Sequence, residues 1–285
     1  MMINNQYHCF ISGLPDISFD NRREWIDIPA FKMMLKENLH PHDYRQVELV
    51  FLEEDNRTLA QFLAEDEIED RRAGNFTVND YREQLEIFEA ILPPEDILPG
   101  YMVKVMKEVH ETEDEGRADK MQIEHRLAEG YYSCIMADGS PFLKAFTQLN
   151  YNIKNLVAFI KAGKHGKEQE QFITGSSDHA AHLRNYAGRN LASDPEFEFF
   201  DEIISYSNST SFAEEERKYD RLLWQQADDM TFFENFSIDR ILAYLQQMRI
   251  LARWSPLDKK SGEQKLRAIV NSAWQEPATM EDNDY

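Results

Sequence analysis

Apolar side chains recur along this chain at steps of three and four, and that spacing limits the fold more than any other feature. The clearest run places Phe142, Phe146, Leu149, Ile153, Leu156 or Val157, and Ile160 on one stripe. Such a stripe faces a partner helix, as in a bundle or coiled coil. Ser140 before Pro141 predicts an N-cap with proline at the first helical position, and Gly163 a C-terminal stop. A second run, Phe236, Ile238, Ile241, Leu242, Leu245 and Met248, predicts a helix from near Thr231 to Arg253. It would be about 35 Å long at ~1.5 Å per residue and end before Pro256.

The same spacing predicts helices over His42–Ala64, Thr77–Leu92, Ile97–Glu111, Ala118–Ala137, Glu196–Tyr206, Glu214–Gln226 and Gly262–Trp274. Thr77-Val78-Asn79-Asp80 fits a capping box with Asp in the place of Glu or Gln. Only Tyr7-His8-Cys9-Phe10-Ile11 reads as extended, broken by the turn residues Ser12-Gly13-Leu14-Pro15-Asp16. With 11 Gly and 10 Pro in 285 residues, few positions interrupt long helices. The expected class is therefore all-α: an array of two or three small bundles with a short extended N-terminal segment. Breaks at Arg72–Asn75, Pro93-Pro94, Ala162–Lys167, Thr174–Ser177 and Ser205–Ser211 are too short for flexible linkers. We expect one compact unit over 1–274, with sub-bundles near 1–92, 93–174 and 175–274. The acidic residues 275–285 are expected to form a disordered tail. Phenylalanines open two of the predicted helices in similar fashion, at Phe142/Phe146 and at Phe232/Phe236.

Hydrophobic residues make up 42% of the chain, enough for a core. Acidic residues outnumber basic ones by 52 to 31, a net charge of -21. That balance disfavours nucleic acid and anionic membrane surfaces, and points to a protein partner with basic surfaces. Two distant cysteines, Cys9 and Cys134, do not make a disulfide scaffold and suit a reducing cytosol. Asn4-Asn5-Gln6 stands where a signal peptide would need apolar residues. The longest strictly apolar run, Leu156–Ile160, is far short of the roughly 20 residues of a membrane helix, so a soluble chain is expected.

Motifs for chemistry are sparse. Gly163-Lys164-His165-Gly166-Lys167 lacks both the earlier Gly and the following Ser or Thr of a phosphate loop, and reads as a basic helix terminus. No Gly-x-Ser-x-Gly elbow is present. The pair His42-Asp43, with His8 upstream, resembles the metal-dependent His-Asp phosphohydrolases, which gather several ligands around a divalent ion. Asp43 near a helix start is also expected for electrostatic reasons alone. His179 and His182 fall one turn apart on a helix with Asp178 as its N-cap, and read as surface histidines. His110, Glu111, Glu124 and His125 lack the Glu-x-x-His spacing of di-iron bundles, with Gln122 where Glu is needed, and read as a charged hairpin tip. The clusters Glu53-Glu54-Asp55, Glu65–Asp70 and Glu111–Glu115 read as solvated faces able to steer a basic partner. No residue is assigned a catalytic, cofactor-binding or metal-ligating role, and no cofactor is expected.

The opening Tyr7-His8-Cys9-Phe10-Ile11-Ser12-Gly13-Leu14-Pro15-Asp16-Ile17 resembles an uncharacterised bacterial family that begins with the same Ser-Gly-Leu-Pro-Asp pattern. Members of that family are encoded among the genes of V/A-type ATP synthases, where they stand in for the C-type component of the central stalk (the d-type component in eukaryotic V-type ATPases). Tyr151–Leu156 with Lys161–Lys164 is similar to the Asn-rich helix and basic turn of that stalk component. Phe236-Ser237-Ile238-Asp239 leading into Ile241–Leu245 is similar to its late helix. Gln246-Gln247-Met248-Arg249 departs from it where a Lys-Glu pair is usual. The resemblance implies an all-helical funnel without catalytic residues, coupling the membrane rotor ring to the central shaft in proton or other ion transport. Its implied partners are the shaft proteins and the ring, with no nucleic acid and with membrane contact only through the ring. Its implied place is the cytoplasm, peripheral on the inner membrane. The alternative is a helical metal-dependent phosphohydrolase of the His-Asp type.

Overall fold

The computed structural model describes residues 6–20, 27–65, 68, 74–90, 94–112, 119–166, 168–175, 177–186, 199–209 and 211–254. Among them are eleven α-helices and no strand. In chain order they are α1 (His8–Ser12), α2 (Ile28–Asn38), α3 (Pro41–Leu63), α4 (Val78–Glu89), α5 (Gly100–Thr112) and α6 (Lys120–Asp138). They continue with α7 (Pro141–Lys164), α8 (Asp178–Arg184), α9 (Phe200–Ser207), α10 (Phe212–Met230) and α11 (Ile238–Trp254). The predicted helix over Gly262–Trp274, Pro256 and the acidic residues 275–285 lie outside the described residues. No helix among those described is long and apolar enough to cross a membrane.

Local chemistry sets the helix starts. Ser140 accepts a hydrogen bond from the Leu143 N–H, and Pro141 follows at the first helical position. The capping box at α4 is complete: Asp80 N–H donates to the Thr77 hydroxyl oxygen, and the Thr77 N–H donates to the Asp80 carboxylate at 2.6 Å. The shorter Asp side chain serves in place of Glu. At α8 the N-cap is Ser177 rather than Asp178, with its hydroxyl accepting from the Ala180 N–H at 3.0 Å. Helix α7 runs through Gly163 to Lys164, and the chain turns only at Gly166, whose φ of +64° lies in the left-handed region.

Two sequence expectations fail. Tyr7–Ile11 is not extended; His8–Ser12 is helix α1. A strand needs a neighbouring strand to satisfy its backbone, and the described residues hold none. The short helix closes its own hydrogen bonds instead, with the Gly13 N–H donating to the Cys9 and Phe10 carbonyls. Helix α11 begins at Ile238, not near Thr231, so it spans 17 residues, about 25 Å. Thr231 ends α10, its hydroxyl donating to the Ala227 carbonyl at 2.8 Å, and the Glu234 N–H donates back to the Thr231 carbonyl at 2.9 Å. Phe232 and Phe236 consequently do not open a helix as Phe142 and Phe146 do.

Helix α7 is the hub. It packs on α6, α8, α9, α10 and α11, while α3 lies along α6 and α10 along α11. Phe142, Phe146, Ile153 and Leu156 are buried as their spacing requires, but so are Leu143, Tyr151 and Phe159 on other faces. Burial on several sides follows from neighbours on several sides, and a single coiled-coil seam does not describe it. One connected core runs from Phe19 to Leu251. Leu143 is wholly buried in it. Leu143→Ala is expected to cost about 3 kcal/mol through lost transfer energy and an unfilled cavity, read as a lower midpoint in urea unfolding.

Candidate functional site

The starts of α3, α7 and α11 are tied together by the N-terminal segment. The Tyr7 N–H donates to the Phe236 carbonyl at 2.8 Å, and the Tyr7 hydroxyl donates to the Asp43 carboxylate in the first turn of α3. The Ser140 hydroxyl and the Phe142 N–H, at the start of α7, donate to the Asp239 carboxylate in the first turn of α11. Gln46 closes the ring, accepting from the Ser140 N–H at 2.6 Å and donating to the Asp138 carbonyl at 3.1 Å. The Tyr244 hydroxyl donates to the Pro15 carbonyl at 2.9 Å, holding the far end of the Ser12–Asp16 turn on α11. Carboxylates belong at these positive helix ends. Burial nevertheless pushes the Asp239 carboxyl up, opposed by the Ser140 hydroxyl and the Phe142 N–H and aided by the Glu234 and Asp43 charges.

This clasp holds hydrogen-bonded carboxylates, not a nucleophile with a base. His42 Nδ1 lies 3.3 Å from Asp43, but its side chain is 70% exposed, and the Asp43 carboxylate already takes the Tyr7 hydroxyl. His8 turns away to Gln6 and stacks against Phe236, ring centroids 4.0 Å apart. Beside the clasp an open groove of 640 Å³ is lined by His42, Arg45, Glu48, Phe76 and Asp138 among others, cations and anions mixed.

The other sequence candidates separate. His179 is buried where α8 packs on α7, which overturns the reading of both α8 histidines as surface residues; His182 is half-buried. His125 meets Thr174 and Glu129, at 3.3 and 3.6 Å, while His110 sits against the Phe88 ring. Glu111 and Glu124 are exposed, and residues 113–118 between the two helices lie outside those described. Lys164 donates to the Ser207 carbonyl and to Asn208 at 3.2 and 3.1 Å, so the basic end of α7 ties down the end of α9. Cys9 is exposed and Cys134 half-buried, both as free thiols. Among the described residues no three or more His, Cys, Asp or Glu side chains gather to hold a metal.

Glu53-Glu54-Asp55 is not a solvated face. Arg249 reaches inward from α11 to Glu53 at 2.9 Å and Glu54 at 3.2 Å; Lys154 of α7 approaches Glu53 at 3.5 Å. Burial alone would raise the Glu53 carboxyl, but the Lys154 and Arg249 charges together outweigh it and hold it well below the usual range. Asp55 is 1% exposed and accepts from the Asn75 N–H, the Phe76 N–H and the Asn75 side chain at 2.7, 3.0 and 2.8 Å. Gly74 makes this approach possible, since a Cβ there would lie 2.2 Å from the Asp55 carboxylate. These acids face inward because α3 is flanked by α6, α5, α4, α2 and α11. The signal was legible in part: Arg249 falls one turn on from Leu245 and two from Leu242, and an arginine in an apolar stripe implies a buried acid.

The chain belongs to the family described as "Protein of unknown function (DUF2764)", whose model matches residues 4–276. No curated protein and no solved structure matches it.

Two measurements follow from the network. Arg249→Met removes the most covered of the cations on Glu53 and Glu54, with Lys154 and Arg57 left to pair them, and is expected to cost about 2–3 kcal/mol, most of it recovered when Glu53 and Glu54 are neutralised as well; urea unfolding reads both. Burial pushes the Asp55 carboxyl up to about 6, against 3.8 for its free form. Its folded form thus binds more protons than the unfolded chain between those values, and stability contributed there falls as pH rises. The stability of wild type relative to Asp55→Asn is expected to fall by about 2–3 kcal/mol between pH 4 and 6, at ~1.4 kcal/mol per unit, and to stay level above pH 7.

Proposed function

We propose that the protein is a non-catalytic coupling component of a V/A-type rotary ATPase, seated in the central stalk between the membrane ring and the shaft. One observation carries the reading. The opening that resembles the bacterial family and the late segment similar to the stalk component are widely spaced in the chain, yet the clasp joins them: Tyr7 and Pro15 bond to Phe236 and Tyr244, and Asp239 caps the start of α7, the helix that carries the other similar segment, Tyr151–Lys164. The resemblance thereby covers one spatial unit rather than three scattered matches. A shaft coupling must transmit torque, and helices packed around one close-packed core suit that work better than linked domains. A peripheral seat on the cytoplasmic face of the inner membrane follows from the same reading, with ring and shaft as partners. The strong acidity of the chain suits basic loops on either. The phosphohydrolase alternative rests on His42-Asp43 or on His179 and His182, and either pair needs further ligands that the described residues do not gather.

The test is purification of the tagged chain from its native membranes in mild detergent, with co-purifying chains identified by mass spectrometry. Head, shaft and ring proteins are expected in constant proportion to the bait. Recovery of the bait alone, with an intact ATPase elsewhere, would overturn the reading.

A further inference from the structure

The link between α10 and α11 holds three phenylalanines at the surface: Phe232 is 69% exposed, Phe233 88% and Phe236 37%. Phe232 and Phe233 meet edge to face with centroids 4.9 Å apart, and His8 covers one side of Phe236. Leaving a phenylalanine in water forgoes about 1.5–3 kcal/mol of burial, and a cluster of them marks an interaction site more often than a lone exposed side chain does. The platform beneath is fixed. Thr231 is 1% exposed and bonded to Ala227, the Phe232 N–H donates back to the Asp229 carbonyl of α10, the Glu234 N–H donates to the Thr231 carbonyl, and the Phe236 carbonyl accepts from Tyr7. With the backbone fixed this way, only side-chain rotamer freedom is left to lose on binding.

The charges around the link are one-sided. From position 228 to 240 the chain carries Asp228, Asp229, Glu234 and Asp239 against a single cation, Arg240, which pairs with Asp228 at 2.9 Å. Asp229 and Glu234 stay exposed beside the phenyl rings. An anionic lipid surface would meet these acids with like charge. A second copy docking through this face about a twofold axis would set the acidic patch against the same acidic patch of its partner. We propose that this face docks a protein surface offering an apolar pocket rimmed by lysine or arginine. Aromatic anchors in a pocket supply the affinity of such contacts, while rim charges select the partner and speed the encounter. The proposal goes beyond the coupling reading and does not require it.

The experiment places the photo-crosslinking residue p-benzoylphenylalanine at position 233 of the full chain, expressed in its native cells. A side chain 88% exposed can be exchanged without disturbing the core, so the unfolding midpoint is expected to match wild type. Irradiation is expected to give one protein adduct, whose cross-linked peptide combines apolar residues with adjacent Lys or Arg. Reversing the rim with Asp229→Lys and Glu234→Lys is expected to lower its yield about tenfold. The same crosslinker at Met121, which is 60% exposed and far along the chain on α6, is expected not to form it. A lipid adduct, a self-adduct, no adduct, or a yield indifferent to charge reversal would each overturn the proposal. An adduct with a protein outside any rotary ATPase would keep the docking face and count against the coupling reading. Co-purification of ATPase proteins with no adduct at 233 would do the opposite.

Discussion

Arg249 holds the interior of this protein to a single arrangement. Its guanidinium is only 13% exposed and sits between Glu53 and Glu54, with Lys154 sharing Glu53 and Arg57 sharing Glu54 at 2.9 Å. Three helices far apart in sequence, α3, α7 and α11, contribute those charges. Desolvated ions are costly unless closely paired, so any shift of register among these helices would strand a carboxylate or a guanidinium. Apolar packing between the same helices is far more tolerant of sliding. In a chain with a net charge of -21, these cations also relieve repulsion among the acids of α3.

The clasp at the helix starts works by related physics on a smaller scale. The Tyr7 and Ser140 hydroxyls donate to the Asp43 and Asp239 carboxylates at helix ends where negative charge is favoured. The N-terminal segment therefore serves as a tie across the bundle. It also sets the position of Phe236 and, with it, the exposed aromatic link. The ordered interior and the outward-facing phenylalanines are two consequences of one set of contacts.

Helix positions were legible because the periodicity of apolar residues is local information. The predicted starts at His42, Thr77 and Ser140 all stand within a residue or two of a real helix start, set by caps that the neighbouring residues carry themselves. Errors arose where a nonlocal partner decides. Aromatic and β-branched residues at Tyr7–Ile11 suggested a strand, but a strand has no meaning without a neighbour to pair with. The run from Thr231 looked helical, yet Thr231 folds back on Ala227 and ends α10. Acids at 53–55 looked solvated because polarity alone does not reveal which face of a crowded helix points inward.

By itself the sequence determined an all-helical chain, the approximate ends of its long helices, and the burial of the Phe142, Phe146, Ile153 and Leu156 stripe, since caps and periodicity act over a few residues. Only the tertiary structure decided that Glu53 and Glu54 meet Arg249, that Asp55 is interior, that His179 is covered, and that Phe232 and Phe233 are not. Burial is a property of what packs alongside, and α6 and α11 reach α3 from distant parts of the chain.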